Sequence, residues 1–112
     1  MGGCFSEGMI GMEEIQIITP EEVQKKLEEG EKLELVDVRE DEEVASGMIP
    51  EAKHIRMGDI PANIDYFDKE KEYIFICRSG GRSANVCYYL QDQGYKVRNM
   101  VGGMMNWTGE TK

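Results

Sequence analysis

The chain has few cysteines, one histidine and a shortage of basic residues. Its 112 residues include three cysteines, and 13 lysines and arginines stand against 22 acidic residues. Cys4, Cys77 and Cys87 are too few and too irregularly spaced for a disulfide framework or a zinc site. An odd number of cysteines favours a reducing compartment. A formal net charge of −9 argues against nucleic acid or an anionic membrane surface as a partner. We therefore expect a cytoplasmic protein without a metal.

Long apolar runs are also missing. No stretch approaches the roughly 20 apolar residues that a membrane span requires. The first dozen residues lack the positive start and long apolar core of a secretory signal. The remaining composition, 40% hydrophobic and 31% charged, is that of a globular protein. We predict a flexible leader over residues 1–12 and one domain over residues 13–112.

Short apolar segments alternate with helical patterns along this domain. The predicted strands cover residues 15–18, 33–38, 53–55, 73–76 and 96–99. The first predicted helix begins after Thr19. The others cover residues 41–45, part of 58–67, 81–93 and 103–107. This alternation predicts an α/β domain whose mainly parallel sheet is flanked by helices on both faces. Residues 73–76 form the most apolar run and should be a central strand.

The most informative segment lies between that strand and the longest helix. It reads Cys77-Arg78-Ser79-Gly80-Gly81-Arg82-Ser83. This position directs backbone N–H groups and the positive end of a helix dipole at the cysteine sulfur. Two glycines allow a tight turn, and two arginines add positive charge. Such surroundings favour the nucleophilic thiolate, whereas a merely packed cysteine would not explain the glycines and arginines.

The spacing within this segment bears on what the loop could hold. Four residues separate Cys77 from Arg82, one fewer than in the signature of cysteine-dependent phosphatases. A tighter loop suits a sulfur atom added to Cys77 better than a phosphoryl group. A phosphatase or arsenate reductase stays a weaker alternative.

The loop resembles the active-site loop of rhodanese-family sulfurtransferases. Three more segments resemble that family's motifs in the same order: Leu35–Glu40 its Asp-Val-Arg segment, Ser46–Ala52 its Gly-His-Ile-Pro-Gly-Ala segment, and Val101–Trp107 its closing Gly-Gly-x-x-x-Trp. Together they span most of the chain and indicate a single rhodanese-like domain. Met48 and Glu51 depart from the family's usual histidine and glycine.

This resemblance implies a sulfurtransferase that needs no cofactor. Cys77 would take a sulfane sulfur from thiosulfate or a persulfide and hold it as a cysteine persulfide. It would then pass the sulfur to a thiol, to a protein acceptor, or to cyanide in an assay. The backbone of Arg78, Ser79, Gly80, Gly81, Arg82 and Ser83 would stabilise the terminal sulfur. The alternative is a persulfide carrier that turns over only with a partner desulfurase.

Charged residues near the motifs have predicted supporting roles. We expect Arg82 to point inward and pair with Asp37, which would fix the shape of the loop. Arg39 and Glu40 fit the same supporting role, with a surface ion pair as the alternative. Arg78 points either toward an anionic donor or simply into solvent. The acidic run from residue 40 to residue 43 is predicted to be a solvated helix face.

Two further side chains could take part in chemistry but have simpler explanations. His54 lacks the spacing of a catalytic base, so we expect it to be packed or at the surface. Cys87 lies on the apolar face of the helix after the loop and is expected to be a core residue. A resolving thiol for Cys77 is the less favoured alternative.

Overall fold

The computed structural model describes residues 15–112; the predicted leader and Cys4 lie outside this range. The strands are β1 (Gln16–Ile18), β2 (Glu34–Asp37), β3 (Lys53–His54), β4 (Glu72–Ile76) and β5 (Lys96–Met100). The α-helices are α1 (Pro20–Glu28), α2 (Asp41–Val44) and α3 (Gly81–Asp92). Short 3₁₀ segments occur at Met57–Asp59, Pro61–Tyr66 and Gly103–Asn106. In this part of the chain, no helix is long and apolar enough to cross a membrane.

The strands form one parallel sheet with the order β1-β5-β4-β2-β3. Strand β4 occupies the centre, as its apolar run predicts. Phe75 pairs with Asn99 on one side, and Ile76 pairs with Asp37 on the other. Because the strands are parallel, the residues that follow β2, β4 and β5 meet at the same edge of the sheet.

The residues of β4 alternate between two apolar layers. Tyr73 and Phe75 pack with α3 against one face of the sheet, where the buried partners are Val36, Val86, Cys87, Leu90 and Val97. Ile74 and Ile76 pack against the other face, where the buried partners are Ile18, Val23, Leu35, Ile49 and Met100. Val23 belongs to α1, so helices cover both faces of the sheet. The predicted α/β class and helix placement are confirmed.

Helix α1 begins at the capping box that the sequence predicts. The Glu22 backbone N–H donates to Thr19 Oγ1 at 3.1 Å, and the Thr19 N–H donates to Glu22 Oε1 at 2.9 Å. Pro20 occupies the first turn, where its missing N–H costs nothing. These local contacts fix where the helix starts before any tertiary contact forms.

Candidate active site

The sulfur of Cys77 lies just beyond the carboxyl end of β4, and the residue is only 1% exposed. The Gly80 N–H donates to Cys77 Sγ at 2.9 Å, and Ser83 Oγ lies 3.3 Å from the same sulfur. Burial by itself raises the pKa of this thiol. Hydrogen bonds from the Ser83 side chain and from backbone N–H groups of Ser83, Gly80 and Ser79 outweigh burial, so the pKa lies below its ordinary value. These hydrogen bonds therefore make the thiolate of Cys77 more favourable than that of an ordinary cysteine.

The loop passes into α3 through Gly80. Its φ of +106° lies in the left-handed region, where glycine has no steric penalty. Its carbonyl accepts from the Ala84 N–H at 3.2 Å, which is the first bond of the helix. The N–H groups of the first turn are therefore free of helical partners and lie at the loop. Of the predicted cradle residues, Ser79, Gly80 and Ser83 donate hydrogen bonds to the Cys77 sulfur.

The 3₁₀ segment Gly103–Asn106 holds the start of the loop from outside. The Met104 N–H donates to the Cys77 carbonyl at 2.8 Å, and the Met105 N–H donates to the Arg78 carbonyl at 2.9 Å. Gly103 has φ +57°, and a Cβ there would overlap the carbonyl oxygens of Cys77 and Arg78. The second glycine of the Gly-Gly pair is thus required by close backbone approach.

The predicted pairing of Arg82 with Asp37 is wrong. Both guanidinium Nη atoms of Arg82 donate to the two carboxylate oxygens of Glu43, each at 2.7 Å. Asp37 is fully buried and already paired with Arg39, whose Nη2 lies 2.8 Å from Asp37 Oδ2. Arg39 also donates to the Gly47 carbonyl at 2.8 Å. Both carboxylate oxygens of Asp37 accept hydrogen bonds from Arg39, so Arg82 pairs elsewhere.

The pairing also corrects the prediction that Glu43 is part of a solvated helix face. The hydrogen bond from Arg82 is the main cause that lowers the Glu43 pKa to about 2, and a backbone hydrogen bond from Glu40 adds to it. The same contact raises the pKa of Arg82. The charge of Arg82 is therefore neutralised by a bidentate partner, and the pair ties α2 to the start of α3.

Among the described residues, Arg78, in contrast to Arg82, is not paired with a carboxylate. Its side chain is exposed, and within residues 15–112 no carboxylate lies at salt-bridge distance from it. It borders a cleft of about 300 Å³ beside the loop, which is lined by Arg39, Glu43, Ser46, Arg78, Met104 and Met105. The cleft thus combines one uncompensated positive charge with two flexible, polarisable thioether side chains.

Asn99 lies beside the Cys77 loop, although no motif in the sequence predicts this. This residue of β5 is 7% exposed, and its Nδ2 donates to the Gly80 carbonyl at 3.1 Å. Its Oδ1 accepts a short hydrogen bond from Ser83 Oγ. The sequence signal for Asn99 is a polar amide in a strand whose other buried residues, Val97 and Met100, are apolar.

His54 and Cys87 take the places that the sequence predicts. His54 Nε2 lies 2.7 Å from the Arg39 carbonyl oxygen, so the ring packs against the backbone after β2. Cys87 is fully buried in the core, and burial raises its pKa to about 12. A protonated, inaccessible thiol is a poor resolving group. In the described part of the chain, no group of three His, Cys, Asp or Glu side chains could hold a metal ion.

The chain matches the rhodanese-like domain over residues 19–110. It is 62% identical over 99 residues to "Putative sulfurtransferase YtwF" of Bacillus subtilis, with 88% of this chain and 96% of that protein covered. It is 40% identical over 91 residues to a sulfurtransferase of Allochromatium vinosum, with 80% and 85% covered. A crystal structure of a Staphylococcus aureus rhodanese-like domain protein superposes with a TM-score of 0.81 at 44% identity, with 86% and 94% covered. Two of these relatives are thus named as a sulfurtransferase or a putative one, and the chain belongs to the rhodanese-like domain family.

Proposed function

We propose that this protein moves a sulfane sulfur from thiosulfate or a persulfide to a thiol through a persulfide on Cys77. The observation that carries the proposal is the hydrogen-bonded sulfur of Cys77, with Gly80 N at 2.9 Å and Ser83 Oγ at 3.3 Å. These donors favour a thiolate, and the thiolate is the species that attacks sulfur. Membership of a sulfurtransferase family supports the same chemistry.

The reaction consists of two displacements without net oxidation. The Cys77 thiolate attacks the outer sulfur of the donor, a new S–S bond forms, and the donor's S–S bond breaks. Sulfite leaves from thiosulfate, or a thiolate leaves from a persulfide, with the bonding electron pair. An acceptor thiolate or cyanide then attacks the terminal sulfur, and Cys77 leaves as thiolate. The covalent intermediate predicts double-displacement kinetics.

The loop backbone stabilises the intermediate. After the first displacement the negative charge sits on the terminal sulfur, one atom beyond Sγ. The N–H groups of Gly81 and Arg82, in the first turn of α3, have no helical partner and are the donors available to that charge. The carbonyls of Cys77 and Arg78 accept hydrogen bonds from the N–H groups of Met104 and Met105, which fixes the orientation of these two carbonyls.

The cleft beside the loop supports an anionic donor. Arg78 supplies a positive charge that no described carboxylate neutralises at salt-bridge distance, in a chain whose formal net charge is −9. A local positive potential is needed to draw an anion toward such an acidic protein. Met104 and Met105 give the same cleft an apolar side that suits the stem of an organic persulfide.

The ion pair of Arg82 argues against phosphoryl transfer. A cysteine-dependent phosphatase needs its loop arginine to bind the phosphate oxygens in a bidentate manner. Here both Nη atoms of Arg82 bind Glu43 instead, each at 2.7 Å. We therefore expect no turnover of an aryl phosphate.

The test is intact-mass spectrometry after incubation with thiosulfate, glutathione persulfide, or a cysteine desulfurase with cysteine. We expect one added sulfur atom in the wild type, none in Cys77→Ser, and one in the matched control Cys87→Ser. With cyanide present, thiocyanate should form from the wild type and from Cys87→Ser but not from Cys77→Ser.

Two outcomes would change the conclusion. No added sulfur from any donor would contradict the proposed function. Rapid persulfidation by the desulfurase with negligible transfer to small thiols or cyanide would identify a persulfide carrier that serves a protein acceptor.

A further inference from the structure

Ser83 and Asn99 form a buried hydrogen-bond chain that ends at the sulfur of Cys77. Ser83 is fully buried, and its Oγ lies between Cys77 Sγ and Asn99 Oδ1. Because the Gly80 carbonyl can only accept, the Asn99 amide nitrogen must face it, at 3.1 Å. The amide oxygen therefore faces Ser83. Ser83 has a single hydroxyl proton and two acceptors within reach.

We propose that Asn99 is a positioning residue that competes with the Cys77 sulfur for the hydroxyl proton of Ser83. The inference rests on the proposed function, because it concerns the nucleophile of that reaction. With Cys77 as a thiol, its S–H donates to Ser83 Oγ, and the Ser83 hydroxyl donates to Asn99 Oδ1. When the thiol proton leaves for solvent, the Ser83 hydroxyl turns to the sulfur.

The competition changes again when Cys77 carries a second sulfur. Sγ is then bonded on both sides and has lost its charge, so it is a weaker acceptor than a thiolate. The Ser83 hydroxyl returns to Asn99, whose buried oxygen would otherwise lack a donor. Asn99 thus accepts the hydrogen bond of the Ser83 hydroxyl in the thiol and persulfide states, and Ser83 donates that hydrogen bond to the sulfur only when Cys77 attacks or leaves as a thiolate.

Other charged or titratable groups near Cys77 come from four elements. They are Asp37 at the end of β2 with Arg39 just after it, Glu43 on α2, Arg78 in the loop, and Arg82 and the neutral thiol of Cys87 on α3. All of them are unchanged by substitution at Ser83 or Asn99. A change in Cys77 ionisation among such variants therefore reports the hydrogen-bond chain.

The test follows the rate of iodoacetamide alkylation at the Cys77 peptide as a function of pH, without a sulfur donor. Asn99→Leu removes the competing acceptor at similar volume, so we expect a profile shifted to lower pH. At a fixed pH below the midpoint, alkylation should rise about fivefold, which corresponds to a hydrogen bond of about 1 kcal/mol to the charged sulfur, since a factor of ten is about 1.36 kcal/mol. Ser83→Ala should shift the profile the opposite way.

The decisive comparison is the double variant. In the Ser83→Ala background, Asn99→Leu should leave the profile unmoved, because Asn99 acts through Ser83. An equal shift in both backgrounds would overturn the proposal, as would a lowered plateau with an unmoved midpoint. Should Asn99→Leu not fold, Asn99→Asp keeps the size and strengthens the acceptor. It should slow alkylation about tenfold below the midpoint, whereas Asn85→Asp on the exposed side of α3 should not.

Failure of this test is distinguishable from failure of the proposed function. Alkylation reports the thiolate of Cys77 whether or not the protein accepts sulfur from any donor. A protein that gains sulfur from thiosulfate but shows no effect of Asn99→Leu keeps its proposed function and loses this inference.

Discussion

At the scale of single residues, the three arginines around the loop differ in whether a carboxylate neutralises their charge. Arg39 is buried on Asp37, and Arg82 is held by Glu43. Arg78 is exposed, and none of the carboxylates in residues 15–112 pairs with it. A paired charge contributes to local structure, whereas an uncompensated charge attracts anions. Arg78 is therefore the arginine that should act on the donor.

We predict that Arg78→Glu lowers kcat/KM for thiosulfate about tenfold at low ionic strength, with a smaller loss at high salt because screening weakens the attraction. The measurement is thiocyanate formation across a salt series. Lys96→Glu is the matched control, since it makes the same charge change on an exposed residue at the opposite edge of the sheet. Equal losses in both variants would show that only net charge matters.

At the scale of elements, the segment Gly103–Asn106 acts as a support for the loop. It shares no covalent neighbour with the loop, yet its backbone donates to two successive loop carbonyls. The approach is close because Gly103 has no Cβ and adopts φ +57°. A side chain there would meet both steric overlap and an unfavourable backbone conformation.

We predict that Gly103→Ala destabilises the protein by about 3 kcal/mol, the sum of left-handed strain and displaced backbone contacts. Urea unfolding should show the loss, and Cys77 alkylation at neutral pH should slow because the loop shifts. Gly58→Ala is the control: it has open space around its Cβ position and no positive φ. Wild-type stability in Gly103→Ala would contradict the close approach.

The succession of strands and helices along the chain and the Cys77 loop could be predicted from the sequence because both depend on local patterns. The apolar run before Cys77, the glycines after it and the capping box at Thr19 act over a few residues. The partner of Arg82 could not, because Glu43 lies 39 residues away in an acidic run where neighbouring carboxylates look alike. Asn99 was missed for a similar reason: only sheet register places it beside Gly80 and Ser83.

At the scale of the whole molecule, the Arg82–Glu43 pair joins two crossover segments of the fold. It links α2, which follows β2, to α3, which follows β4. Half-buried bidentate pairs are stronger than exposed single contacts, although solvent still screens them. The pair therefore makes global stability depend on the ionisation of one carboxylate.

We predict that this contribution is fully present above about pH 4.5 and is lost as pH falls toward about 2. The sign follows because the pKa of Glu43 is about 2 in the folded protein, below the ordinary value of 4.5. Glu43→Gln should lower the free energy of unfolding by about 1 kcal/mol at pH 6 and by less at pH 3. Urea unfolding at both values tests this, with exposed Glu42→Gln as the control. A pH-independent loss would contradict the linkage.

The residues that hold the Cys77 loop come after the loop in the chain, and this order has a consequence for protein synthesis. Cys77 and its loop leave the ribosome before Asn99, Gly103 and Met104, which hold the loop through hydrogen bonds and close contact. A nascent chain that ends before β5 carries the cysteine without the sheet partner and backbone donors that shape its surroundings. The hydrogen-bonded surroundings of the Cys77 sulfur are therefore completed by the last part of the domain to be made. We expect incomplete chains to carry a thiol of ordinary reactivity.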